Sequence, residues 1–220
     1  IEARKYIPVP ISETMIDFWV IPKREGDMLE IERESGVEAG GKKEEENRID
    51  VLLVAIHNSI IEKYRRIGSE AGLSVGFLEI ETFSAIRALL SGGITTFLIL
   101  DIGSNATNVA IVENGIVYRS HVINRGSQDI TVALSRSLGI SILLAEEMKR
   151  EAGLLPNREG ENKAAETARF IMEGIFAEVN RVLLEYEKKQ HKAIGKVFLS
   201  GGGALLKGLL PLAKENLNTE

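Results

Sequence analysis

Leu98-Ile-Leu-Asp-Ile-Gly-Ser-Asn-Ala-Thr-Asn-Val-Ala-Ile-Val112, continued by Glu113-Asn114-Gly115, is the stretch that decides the fold. A fully apolar run ends in Asp101, a small polar turn follows, and a second apolar run leads to an Asn-Gly corner. Apolar runs of this length bounded by turn signals read as buried strands, and Asn-Gly is the strongest short hairpin signal. The turn Gly103-Ser104-Asn105-Ala106-Thr107 is therefore placed between adjacent strands, with Asp101 at its mouth. Small residues expose successive backbone N–H groups, which makes such a turn an anion-binding concavity. Asp101 sets a fixed negative charge where a hydrated Mg²⁺ would sit, because that ion prefers carboxylate and water oxygens. An Asp closing a strand before a Gly also serves plain turn chemistry, so this segment gains its meaning from what accompanies it.

Its companion is Val197-Phe-Leu-Ser-Gly-Gly-Gly-Ala-Leu-Leu-Lys-Gly208, which reads as a strand, a triple-glycine turn and a helix start. Gly201, Gly202 and Gly203 let a ligand approach the backbone closely, and a helix N-terminus favours anions. Two such turns at the C-terminal ends of strands in one sheet fall at the rim where open α/β sheets bind ligands. A third element lies between them: Arg125-Gly126-Ser127-Gln128-Asp129-Ile130-Thr131 precedes a helix, and Ala145-Glu-Glu-Met-Lys-Arg-Glu-Ala-Gly153 follows it. Glu146 and Lys149 are three apart and share a helix face, where Glu146 would hold a ribose and the Lys149 stem would flank a base. The plain alternative is an exposed Glu–Lys pair worth a few tenths of a kcal/mol, about what such pairs contribute on a helix surface.

Composition narrows the classes. With 220 residues, 44% of them apolar, the chain can bury one large core or two modest ones. A net charge of −5 speaks against a nucleic-acid partner, for which a basic stripe is expected. There is no cysteine, hence no disulfide framework, thiolate metal site or cysteine nucleophile. Three widely spaced histidines (His57, His121, His191) do not make a metal site. No run approaches the length of a membrane span, and no leader pattern is visible. The first residue is Ile1, and the opening residues read as a helix end, which suggests a fragment.

Along the chain, residues 1–6 read as that helix end, broken by Pro8 and Pro10. Ser12–Ile21 reads as a strand and Met28–Ile31 as a second short one, with a solvated, charged loop over Ser35–Asn47. Asp50–Ala55 is a buried-strand candidate. A helix ends at Gly72, a strand is expected at Val75–Ile80, and a helix at Thr82–Leu90 stops at Ser91-Gly92-Gly93. After the opening motif come a strand at Gly115–Ile123, a helix at Thr131–Leu138 and a helix capped by Ser141 that runs to Arg150. Gly153 and Pro156 break the pattern. A long amphipathic helix from Ala168 to Tyr186 passes through Gly174, Lys196–Leu199 is a strand, and Leu205–Asn216 a last helix.

The paired glycine turns resemble the actin, Hsp70 and sugar-kinase ATPase superfamily. Asp101, Gly103 and Thr107 look like its second phosphate motif, and Gly201–Gly203 like its adenosine motif. Ala145-Glu146-Glu147-Met148-Lys149 with Gly153 is similar to the helix of the bacterial actin branch. Within it the chain resembles the PilM family of type IV pilus assembly, which is FtsA-like. The residues are Glu2-Ala-Arg-Lys-Tyr-Ile-Pro-Val-Pro10, Ile16-Asp17-Phe18, Val51-Leu-Leu-Val-Ala55 and Ala71-Gly72-Leu73. That resemblance implies an α/β, actin-like (ribonuclease H-like) ATPase fold with an FtsA-type inserted α/β subdomain, incomplete at the N-terminus. Residues 1–7 would end a missing subdomain, 8–80 form the insertion and 81–93 return to the first subdomain. Residues 94–130 with 193–220 would form the second core subdomain, and 131–192 a helical nucleotide-flanking one.

The resemblance also implies ATP and Mg²⁺ as cofactors. Nucleotide-binding residues would be Asp101, Gly103, Ser104, Asn105, Thr107, Gly126, Glu146, Lys149, Gly201, Gly202 and Gly203, with Asp101 reaching the metal through water. The partner implied is a PilN-like inner-membrane protein, docked through its cytoplasmic peptide, together with a homo-oligomeric ring, at a cytoplasmic location peripheral to the inner membrane. Two departures stand out. The family's first phosphate motif, an Asp-x-Gly, is absent from this chain, so the fragment is expected to be inactive and the intact protein at most a slow ATPase. Where relatives have Gly-Gly before the third element's Thr, this chain has Gly126-Ser127. The other readings are an FtsA-like cell-division scaffold tethered to the membrane, a small-molecule kinase of the same superfamily, and an actin-like fold without nucleotide. For the kinase, Asp129 and Glu173 are the acids in view, and neither has a base's sequence context.

Overall fold

The computed structural model describes residues 7, 9–21, 50–89, 96–155 and 162–217, and the chain divides into two units, Ile1–Ile80 and Glu81–Glu220. The expected helix end at 1–6, Pro8, the strand at Met28–Ile31, the loop at Ser35–Asn47, the Ser91–Gly93 stop and Pro156 lie outside the described residues.

In the first unit a single 3-10 turn, Ile11–Glu13, leads into β1 (Thr14–Ile21), which pairs antiparallel with β2 (Asp50–His57) from Thr14↔His57 to Ile21↔Asp50. Helix α1 (Asn58–Glu70) follows β2 without a break and buries Ile61 and Gly68. Past it the chain turns through Gly72 at φ +70°, and Leu73 N–H donates to the Gly68 carbonyl at 2.8 Å. The strand expected at Val75–Ile80 does not form. β-branched and aromatic residues favour a pleated, packed surface, but a strand needs a ladder. Among the described residues this segment has no partner strand, and its Phe77 is 84% exposed.

In the second unit, α2 (Glu81–Leu89) precedes a four-stranded sheet made of β3 (Thr96–Ile102), β4 (Thr107–Glu113), β5 (Ile116–Ile123) and β6 (Val197–Ser200). The order is β5-β4-β3-β6, with β3, β4 and β5 antiparallel and β6 parallel to β3. The β4–β5 connection has Asn114 at φ 47° and Gly115 at φ 82°, two successive positive φ values as a type I′ hairpin requires. Helices α3 (Ser127–Leu138), α4 (Ile142–Ala152) and α5 (Asn162–Gln190) fill the crossover between β5 and β6, and α6 (Leu209–Leu217) follows.

The continuous apolar character of β3 has a direct cause, since both faces of the strand are covered. Leu98, Leu100 and Ile102 join a large core with Val109, Ile111 and Ile123 from the sheet, Ile130 and Leu134 of α3, and the inner stripe of α5. On the other face Phe97 and Ile99 join Ala110 and Val112 against Ile86 of α2, and Phe97 meets Phe198 edge to face at 5.3 Å. Gly174 does not interrupt α5. A Cβ there would stand 3.1 Å from Arg125 Nη1, so the missing side chain seats that guanidinium against the helix.

Leu100→Ala removes a side chain with no exposed surface and is expected to cost about 2–5 kcal/mol. Leu143→Ala, at a residue 79% exposed, should stay within about 0.5 kcal/mol. Denaturant titration followed by circular dichroism compares the two, and similar midpoints would contradict the two-sided burial of β3.

Candidate functional site

The site is built where β3 and β6 end together. Their parallel register sets Asp101 beside Ser200, so the chain leaves both strands at one rim. Gly201 has φ +82°, and a Cβ there would lie 2.5 Å from both Asp101 Oδ1 and the Ile102 carbonyl oxygen. The glycine backbone thus passes directly against the carboxylate, which only a residue without a side chain permits. Gly203 is buried over the Ile102 side chain, whereas a Cβ on Gly202 would meet open space. Asp101 is half-buried, and its carboxylate accepts no hydrogen bond from the described residues.

The first turn closes when Gly103 N–H donates to the Ala106 carbonyl at 2.9 Å, leaving Ser104 and Asn105 exposed at its tip. Thr107 is fully buried and its hydroxyl donates to the Arg125 carbonyl at 2.9 Å, so this side chain fixes the turn from beneath. The first turn of α3 docks on the same hairpin. Ser127 N–H donates to the Gly103 carbonyl and Gln128 N–H to the Ser104 carbonyl, each at 2.9 Å. These two orphan donors of a helix N-terminus are therefore satisfied by the hairpin. A Cβ on Gly126 would collide with the Gly103 and Ser104 carbonyl oxygens, which explains glycine there. Gly126 N–H donates in turn to Asp129 Oδ2 at 2.7 Å, which occupies that acid.

Glu146 and Lys149 of α4 are not an exposed pair. The Lys149 side chain is only 7% exposed, and its Nζ reaches Glu146 Oε2 at 2.7 Å, the Thr131 hydroxyl at 3.0 Å and the Ser127 carbonyl at 3.2 Å. Thr131 donates to Glu146 Oε2 at 2.6 Å, and Arg150 Nε donates to Oε1 at 2.9 Å. Burial pushes the Glu146 pKa up, but the hydrogen bonds from Lys149, Thr131 and Arg150 outweigh it and lower the pKa from 4.5 to about 2. An ion pair with a buried member is held only where its remaining hydrogen bonds are also made, and Thr131 and the Ser127 carbonyl make them.

Past α4, Leu154 N–H donates to the Lys207 carbonyl at 2.8 Å, and Lys207 Nζ donates to the Glu151 carbonyl at 2.9 Å. The end of α4 is thereby fastened to the loop after the triple glycine. That loop differs from the expected helix at Leu205–Asn216. The glycines enter a 3-10 turn, Gly202–Leu205, and α6 starts only at Leu209, after Gly208 at φ +84°. The helix N-terminus is therefore displaced from the glycine turn, and what the turn offers a ligand is its own backbone. Leu205, 86% exposed, stands beside it.

The structure thus gathers Asp101, Gly103, Ser104, Asn105, Gly126 and Gly201–Gly203 about one rim, places Thr107 beneath it, and ties Glu146 and Lys149 to it through α3. Sequence reasoning quoted Thr131 in the third element without giving it a role at the site, and gave none to Lys207. For Thr131 a signal exists: it lies four residues after Ser127 on the α3 face that meets Lys149. Lys207 acts mainly through its carbonyl, which no side-chain pattern reveals. Among the described residues no group of three or more His, Asp or Glu could hold a metal, so a Mg²⁺ here would rest on Asp101, water and ligand oxygens, a donor set that suits that ion.

A mixed sheet with two glycine turns converging at one rim, closed by helices, is the actin-like ATPase fold, and one chain of the PilM–PilN type IV pilus biogenesis complex shares it. The match has a TM-score of 0.74 at 24% identity and covers 99% of this chain and 58% of that one. MreB5 of Spiroplasma citri, solved with ADP bound, matches with a TM-score of 0.56 at 16% identity over 74% of this chain and 59% of its own. The family described as Cell division protein FtsA matches residues 98–220, more than half of the chain, and the chain belongs to that family. Cell division protein FtsA of Streptococcus pneumoniae is 27% identical over 74% of this chain, which spans 40% of that relative's length.

Because the Glu146 pKa is lowered on folding, its stabilising contribution is fully present above the unfolded value near 4.5 and is lost as pH falls toward about 2. Glu146→Gln is expected to lower stability at pH 7 by about 1–3 kcal/mol and to flatten the loss between those limits. Thermal melts at pH 7, 4.5 and 3 read both effects, and an unchanged acid profile would exclude this linkage. Gly201→Ala should destabilise the second unit by roughly 1–3 kcal/mol, as a side chain forced into positive φ and a close contact does.

Proposed function

We propose that this chain is the nucleotide-binding part of an actin-like scaffold of type IV pilus assembly, taking ATP with Mg²⁺ at the rim of β3 and β6. The observation that carries the nucleotide reading is the abutment of Gly201 on Asp101, which leaves one half-buried carboxylate facing two backbone turns. In this reading Asp101 would hold Mg²⁺ through water, the Gly103–Ala106 turn would present the backbone N–H groups of Ser104 and Asn105 at its tip to phosphate, and the Gly201–Gly203 turn would present its backbone to adenosine. The metal would neutralise phosphate charge. Glu146 would accept from a ribose hydroxyl. MreB5, a fold relative, is solved with ADP bound, which supports a nucleotide of this class.

Binding is placed ahead of turnover. The two acids considered as bases are engaged, Asp129 with the Gly126 N–H and Glu173 with Arg169 at 2.7 Å, which speaks against a small-molecule kinase. Residues 8–80 then act as the inserted subdomain, 94–130 with 193–220 as the core and 131–192 as the nucleotide-flanking helices. The partner is a PilN-like inner-membrane protein bound through its cytoplasmic segment, with a ring of copies at the inner membrane. Likeness to the PilM–PilN complex across 99% of the chain supports this pilus reading. Among the described residues no helix is long and apolar enough to cross a membrane.

Cell division is the second reading, favoured by the family match and by the FtsA of Streptococcus pneumoniae. The neighbouring genes and a peptide-binding assay separate the two. A labelled cytoplasmic peptide from an adjacent pilus membrane protein should bind at micromolar Kd, and a division-gene neighbourhood with no such binding favours the second reading. Isothermal titration with Mg-ATP tests the site. Binding is expected at Kd below millimolar, and Asp101→Ala should weaken it at least about tenfold, the equivalent of one charge-assisted contact. An unchanged Kd removes Asp101 from the site.

A further inference from the structure

We propose that Thr131 is a positioning residue that sets the sugar specificity of the nucleotide site by holding the Glu146 carboxylate. The inference rests on the nucleotide reading above and concerns a residue that reading does not use. Thr131 has no exposed surface and a hydroxyl with two partners at once. It donates to Glu146 Oε2 at 2.6 Å and accepts from Lys149 Nζ at 3.0 Å. Both its donor and one acceptor position are thereby committed, so the hydroxyl cannot rotate without breaking a bond.

The consequence falls on the carboxylate. Oε2 takes two donors, Thr131 and Lys149, while Oε1 takes only Arg150, whose side chain is 76% exposed. A carboxylate has about four lone-pair positions, so three are taken here and the one left unfilled is on Oε1. Glu146 keeps 27% of its side chain accessible, and its lowered pKa keeps it an acceptor at neutral pH. A buried anchor on one oxygen and an unfilled position on the other make a directional acceptor for a single hydroxyl donor. The ligand chemistry is a sugar hydroxyl, as on a ribose. Ser127 and Thr131 lie on one face of α3, and Lys149 bridges them, so the carboxylate is held in register with the helix that docks on the Gly103–Ala106 turn. Sugar and phosphate recognition then share one rigid element, as a preorganised site requires.

The test uses the protein expressed from its complete reading frame and compares ATP with 2′-deoxy-ATP and 3′-deoxy-ATP by titration calorimetry, in the presence of Mg²⁺. The original protein should prefer ATP over the poorer of the two deoxy analogues, the one lacking the contacted hydroxyl, by about tenfold, the weight of one hydrogen bond to a charged acceptor. Thr131→Val keeps the shape and removes the hydroxyl. It should cut that preference to within about twofold by weakening ATP while leaving the poorer deoxy analogue nearly unchanged, because only the hydroxyl contact is lost. Thr131→Ser restores the hydroxyl and should restore the preference. Thr131→Ala provides the same comparison if the valine variant does not fold. A folded variant lacking the hydroxyl that keeps the full ribose preference overturns the role of Thr131 and leaves the nucleotide reading standing. Absence of ATP binding by the original protein overturns both.

Discussion

The parallel pairing of β6 with β3 is the constraint on which the site depends. It brings Ser200 level with Asp101, two residues far apart in sequence, and so lets the triple-glycine turn pass against the carboxylate. Strands β3, β4 and β5 form a meander that local turns can specify, but no local signal places β6. That placement follows from burial. Phe198 packs on Phe97 on one face, and Val197 and Leu199 rest against the large core on the other. A β6 slipped by one residue would exchange these faces and carry Gly201 away from Asp101.

Around that pairing the helices form a hydrogen-bonded circuit. The Gly103–Ala106 turn receives the first N–H groups of α3, α3 receives Lys149 of α4, and the loop after α4 receives the carbonyl of Lys207 that follows the glycine turn. Each link satisfies a backbone group or buried charge that would otherwise cost about 1–3 kcal/mol. The site is therefore rigid for the same reason that the second unit is stable.

Much of this was legible in the sequence. The apolar runs flanking Asp101 identified β3 and β4, Asn114-Gly115 fixed their hairpin partner, and Ser141 marked the start of α4 through its side-chain cap. Periodicity identified α5, and Gly174 did not mislead because its gap is filled by Arg125 rather than by a bend. The failures have physical causes. Val75–Ile80 has strand-like residues but no neighbour to pair with among the described residues, and propensity cannot supply one. Leu205–Asn216 reads as one amphipathic stretch, yet the positive φ at Gly208 separates a 3-10 turn from the helix. Lys149 was read as flanking a base, with an exposed Glu–Lys surface pair as the plain alternative, and neither reading contains its burial beside α3. Its burial depends on Thr131 and the Ser127 carbonyl, contributions from another helix that no single window contains.

The same β3–β6 pairing imposes an order on synthesis. Until β6 is made, β3 has a bare edge from Leu98 to Asp101, the most apolar strand of the sheet open to any passing chain. The ribosome must first deliver the whole crossover from α3 to α5, which at roughly 5–20 residues per second takes several seconds. Non-local parallel pairing is also slow to form once the chain is complete. The nascent protein therefore passes through an interval in which its most adhesive strand edge is unguarded. Chaperone engagement during elongation would be concentrated on that interval, between the emergence of Ile102 and that of Val197.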